Sequence, residues 1–100
     1  MVQRSLILAL LLGLFVANTP NSFAQLNKSY FFNQARQQLG KEQFPEAIAS
    51  LNHIIRVDTT IAEVWFLRGV AKYYLNDLHG ALSDFNKTIL HNPVYSQAYL

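Results

Sequence analysis

Three histidines, His53, His79 and His91, and the adjacent pair Ser83-Asp84 are the residues with which this 100-residue chain could do metal or acid–base chemistry. A metal held on a helix needs two imidazoles one turn apart on one face, and no two of the histidines stand at that i, i+4 spacing. Asp77 and His79 flank a turn signal with no nucleophile beside them. Ser83 and Asp84 are neighbours in sequence, so on a helix they point in different directions. The four glycines are scattered, which leaves no loop to cradle a phosphate. These positions read as solvated polar side chains on helices. No catalytic residue, metal ligand or cofactor site is expected, and the chain is expected not to be an enzyme.

The elements that carry these residues begin with an unusual N-terminus. Arg4 and the free amine are followed by an unbroken apolar run from Leu6 to Ala17, then by polar residues ending in Ser22-Phe23-Ala24. That order, with small residues three and one positions before a cut, is the pattern of a secretory signal peptide spanning residues 1–24. The run is short of the roughly 20 apolar residues that cross a bilayer. An uncleaved membrane anchor is the competing reading. Cleavage after Ala24 leaves Gln25 to Leu100 with seven Lys/Arg against six Asp/Glu, too balanced and too dispersed to neutralise a nucleic-acid backbone. The expected location is exported, either periplasmic or secreted. There is no cysteine, so the usual covalent staple of a small exported domain is excluded.

Laid against itself with an offset of 34 residues, the remaining chain matches. Ala47, Ile48 and Leu51 fall on Ala81, Leu82 and Phe85, and Phe31 and Phe32 fall on Trp65 and Phe66. The same offset carries "TTIAEVWF", Thr59 to Phe66, onto "PVYSQAYL", Pro93 to Leu100, which reads as the opening of a third copy. Each copy predicts two helices. Asn27 can cap the first, which runs to about Leu39 and ends with Gly40 in a left-handed conformation. Pro45 suits the first turn of the next, whose Ala47, Ile48, Leu51, Ile54 and Ile55 form one apolar face. In the second copy Thr60 and Glu63 suggest a capping box for a helix to about Leu75, followed by a turn at Asn76-Asp77. A helix from Leu78 to about His91 then stops at Asn92-Pro93. No stretch alternates cleanly enough to predict a strand, so the fold class is all-α.

The stretch Ala62 to Pro93 resembles a tetratricopeptide repeat, whose pattern W-x2-L-G-x2-Y, A-x3-F, P is matched at Trp65, Gly69, Ala81, Phe85 and Pro93. Lys28 to Ile61 is a weaker copy that keeps Ala35, Phe44, Ala47, Leu51 and Ile54. Gln34 and Arg68 depart from the family's leucine, and Gln38 and Lys72 from its tyrosine; long side chains can bury their stems and keep their ends wet. The resemblance implies antiparallel helix pairs stacked as a short right-handed solenoid: repeat one 28–61, repeat two 62–95 and the start of a third over 96–100. It also implies a concave groove lined by the stripe Phe32, Arg36 and Leu39 in the first copy and Phe66, Val70 and Tyr73 in the second. The competing reading of that stripe is core. The positions with which some family members clamp a terminal carboxylate hold Phe32, Arg36, Leu67 and Gln97, with one charge among them, so that activity is not expected. What remains is a non-enzymatic adaptor or scaffold that binds a protein or peptide through apolar contacts. The alternatives are the N-terminal segment of a longer envelope protein or enzyme, and a scaffold anchored by its first residues. The unfilled end of the stack is expected to expose Leu82, Phe85 and Ile89 in part and to favour self-association.

Overall fold

The computed structural model describes residues 20–99, and the apolar run Leu6 to Ala17 lies outside them. Four helices follow one another: α1 (Pro20–Gly40), α2 (Phe44–Val57), α3 (Ala62–Tyr74) and α4 (Leu78–His91), with a single 3-10 turn at Ser96–Ala98. No strand occurs among the described residues. Each helix packs on the next, and the short connections reverse the chain.

Helix ends repeat at the 34-residue offset. α1 and α3 close at Gly40 and Tyr74, while α2 and α4 run over Phe44–Val57 and Leu78–His91. The turns between them are the same device: the N–H of Gln43 donates to the Gln38 carbonyl at 2.8 Å, and that of Asp77 to the Lys72 carbonyl at 2.9 Å. This wraps the last carbonyls of the helix in a Schellman-type closure. The left-handed residues are Glu42 (φ 59°) and Asn76 (φ 62°), not Gly40. Asparagine tolerates that conformation well and glutamate less so, which is why the first turn was not legible from residue type.

Two further sequence expectations are corrected. α1 runs through Asn27 without a break, because nothing after Pro20 interrupts a chain of ordinary helix formers. The Thr60–Glu63 capping box does not form: α3 starts one residue later than the box requires, after Ile61. Thr60 turns its backbone N–H and its hydroxyl to the Asp58 carboxylate, at 2.9 and 2.6 Å, and Glu63 pairs with Arg36. Pro45 does sit in the first turn of α2. Asp77 caps α4 by accepting from the Gly80 N–H at 3.0 Å, and a side chain at residue 80 would run into that carboxylate.

The core lies in two clusters. Ala35, Leu51, Ile54 and Val64 form the first, with Phe31, Phe32, Ile55, Ile61 and Leu67 around it. Ala81, Phe85 and Ala98 form the second, with Phe66, Val70, Ile89 and Tyr95 around it. Val64 and Ala98 occupy matching positions, and the matching continues in the hydrogen bonds. Trp65 Nε1 donates to the Thr59 carbonyl at 2.8 Å, and the Tyr99 hydroxyl donates to the Pro93 carbonyl at 2.7 Å. Because Ala98 closes over it, Phe85 is 4% exposed instead of partly open as the sequence predicts, whereas Ile89 is half-buried in agreement with that expectation. Leu82 remains exposed.

Candidate partner-binding site

The six stripe residues do not form one continuous surface. Phe32 and Arg36 line a depression of about 490 Å³ with Lys28, Asn33, Asp58 and Ile61. Phe66, Val70 and Tyr73 line another of about 410 Å³ with Tyr74, Phe85 and Gln97. Leu39 is half-buried and lines neither of these.

The first depression is polar, and its charges are already engaged. Arg36 donates to Glu63 Oε1 at 3.1 Å while its guanidinium lies 4.2 Å from the Phe32 ring centre. Lys28 reaches Asp58 Oδ2 at 3.2 Å. The Thr60 hydroxyl, the Thr60 N–H and Lys28 together hold the Asp58 carboxyl below the ordinary carboxylate range, against the smaller opposing effect of burial. A depressed folded-state pKa contributes stability that is present above the unfolded value and lost as pH falls through the folded one. Acid should therefore loosen the α2–α3 connection. Asp58→Asn is expected to flatten the acid limb of a stability–pH curve below about pH 4, the unfolded carboxylate value; an unchanged limb would show that another carboxylate controls it.

The second depression is apolar and aromatic. Phe66 packs at 5.7 Å from Phe85 and 5.1 Å from Tyr95, so it belongs to the core on one side and to the depression on the other. Burial, with the Glu63 charge adding to it, raises the Tyr95 pKa, in keeping with a ring packed against Phe66 behind the depression. Tyr73 and Tyr74 are 52% and 62% exposed and meet edge to face at 5.7 Å. The core reading of the stripe thus holds for Phe66 and Val70 in part and fails for Tyr73.

Sequence reasoning missed the most structured polar site. Asp84 was read as solvated but is 1% exposed. Its two oxygens accept from Arg68 Nε and Nη2, both at 2.8 Å, and Lys72 Nζ lies 3.1 Å away. Arg68 Nη1 donates in turn to Asn52 Oδ1 at 2.8 Å, and the guanidinium lies over Trp65 at 4.9 Å. Arg68 and Lys72 do not point their ends to water as expected, since their side chains are only 17% and 20% exposed. The signal was in the repeat: Gln34, Gln38 and Ser50 occupy the matching places, and the Ser50 hydroxyl lies 2.7 Å from the Gln38 amide. A neutral pair in one copy is an ion cluster in the next. The carboxylate faces two cations and has no oxygen to spare, so the cluster is a fastening between helices and not a reacting centre.

Among the described residues no group of three His, Cys, Asp or Glu could hold a metal ion. No described helix is long and apolar enough to cross a membrane. Compared with protein-family models and with curated proteins, the chain matches none.

Proposed function

We propose that the chain is an exported, tetratricopeptide-like interaction module without enzymatic activity, which holds a peptide or protein partner by apolar and aromatic contacts. The observation that carries this reading is the second depression. Two adjacent tyrosines stand more than half exposed beside the partly buried Phe66 and Val70. Large aromatic side chains on a preformed surface anchor partners at low entropic cost, and they dominate interface energetics. The 34-residue recurrence of helix ends and turn hydrogen bonds supports stacked repeats as the scaffold. Residues 1–24 serve in this reading as a cleaved signal peptide.

The experiment is capture of partners from envelope extract on the immobilised chain, compared with a Phe66→Ala/Tyr73→Ala variant. Retention should fall sharply in the variant. Equal retention by both proteins would remove this depression as the site.

A further inference from the structure

Both walls of the polar depression are in place: α1 forms one, and the α2–α3 connection, with Asp58 and Ile61, forms the other. Its opening belongs to the first helix pair and the neighbouring α3, and not to an uncovered end of the stack. Two cations and two carboxylates border it, matched one to one. Lys28 pairs with Asp58 at 3.2 Å and Arg36 with Glu63 at 3.1 Å. Asp58 is held further by the Thr60 hydroxyl and N–H, and Arg36 lies against the Phe32 ring. A ligand carboxylate brought to either cation would meet a carboxylate of the chain beside it, and a ligand ammonium brought to either carboxylate would meet a cation. Like charges set together in this way oppose binding, so the border selects against charged groups.

What the depression offers instead is a row of neutral hydrogen-bonding side chains. Gln25, Ser29 and Asn33 stand four residues apart on α1, line the depression and are exposed. Each carries both a donor and an acceptor. Successive members are about 6 Å apart along the helix, four residues at 1.5 Å each. In an extended peptide every second residue turns its N–H and C=O to the same side, at intervals of about 6.6 Å. Over three members the two periods stay in step, so each side chain faces the N–H and C=O of one peptide residue. Such a segment is about five residues long. Its side chains on one face then meet Phe32 and Ile61, both half-buried, which suits apolar or small residues there.

We infer that the polar depression is a second subsite for the partner, which grips the main chain of an uncharged, extended, internal segment through Gln25, Ser29 and Asn33. The aromatic depression takes side chains; this one takes backbone. The inference rests on the peptide-binding reading and adds a selection rule to it. Because N–H and C=O groups are common to all residues except proline at its nitrogen, the subsite tolerates changes in the partner's sequence while rejecting charge and chain ends. Where the cut after Ala24 is made, the amine of Gln25 stands at the end of the row, and a terminal carboxylate is the competing occupant that it would draw.

The probe is a library of octapeptides of uncharged residues, acetylated and amidated at their ends, from which the tightest binder to the isolated chain is selected and its affinity measured. Ser29→Ala/Asn33→Ala should bind that peptide about tenfold more weakly, the loss of two or more hydrogen bonds. Helicity should be unchanged, since both side chains are exposed. Methylating alternate backbone nitrogens of the peptide should weaken binding by at least as much for one alternate set and far less for the other, because one set faces α1. Free-acid and amidated forms should bind alike, and salt should matter little. Loss of binding in both Ser29→Ala/Asn33→Ala and Phe66→Ala/Tyr73→Ala is the expected pattern. Loss in the Phe66→Ala/Tyr73→Ala variant alone, or equal effects of the two methylated sets, would leave the aromatic site standing and overturn the main-chain subsite. A marked preference for the free acid would give the depression to a chain end and overturn it as well. No binding of any library member to the unaltered chain would overturn the peptide-binding reading and this inference together.

Discussion

Replacing Asp84 with alanine should cost about 3 to 5 kcal/mol, because it strands two cations that the fold has drawn inward. Arg68 and Lys72 would be left with Asn52 as the one side-chain acceptor hydrogen-bonded to either of them. Their residual exposure of 17% and 20% lets the ends drift toward water, which places the effect at the lower end of the range. Even so, about 80 ordered residues are stable by roughly 4 to 12 kcal/mol in total, so the loss is a large share. Asp84→Asn, which keeps the shape and one acceptor, should cost less. Urea unfolding measures both. Should the alanine variant unfold at the wild-type midpoint, the cluster is incidental to stability.

The second large effect lies in the same helix pair. A Cβ placed on Gly69 would come within 2.7 and 2.9 Å of two Phe85 ring carbons and 3.2 Å of the Asp84 Cβ. The ring cannot retreat, since Phe66 and Ala98 pack beside it. Gly69→Ala gains up to about 1 kcal/mol of helix propensity, yet overpacking of about 1 to 3 kcal/mol should outweigh it. Gly69→Leu should exceed that range. The first pair shows the compensation, with Ala35 facing the smaller Leu51, both fully buried. Gly69→Ala combined with Phe85→Leu copies that solution and should be more stable than the sum of the two single effects, a coupling that a double-mutant cycle reads directly. Strict additivity would mean that the two residues do not share the contact.

What the sequence made legible was the spacing. The 34-residue offset places Ala35 on Gly69, Ala47 on Ala81 and Leu51 on Phe85, and all six are buried in the structure. Apolar identity and period suffice for that, because both reflect burial. Polar positions are hard to read for a physical reason: an aspartate on a helix shows its partners only once the helix beside it is placed, and the polar residues at the matching places in the first copy, Gln34, Gln38 and Ser50, are the one hint of a pairing. Asp84, Arg68 and Lys72 are separated along the chain by up to 16 residues, and they become a cluster only when α3 and α4 pack. Backbone conformation escaped for a related reason. The turn geometry falls on Glu42 and Asn76 through the closing hydrogen bonds, so the neighbouring Gly40 was a plausible but mistaken choice. Of the six stripe residues, three line the apolar depression and two line the polar one. Helical spacing alone could not divide them, since the division depends on Glu63 reaching across to Arg36 beside one depression while Gln97 lines the other with Val70 and Tyr73.

The role in partner binding rests on Tyr73, which lines the apolar depression while remaining more than half exposed. Its removal can be measured twice on the same sample, once for affinity to a captured partner and once for thermal unfolding. Tyr73→Ala should weaken the partner by at least about tenfold, the 1.4 kcal/mol or more that marks an aromatic anchor. The melting temperature should shift little, because exposed side chains contribute little to stability. Unchanged affinity, or a loss of affinity that merely follows a loss of folded protein, would contradict the account.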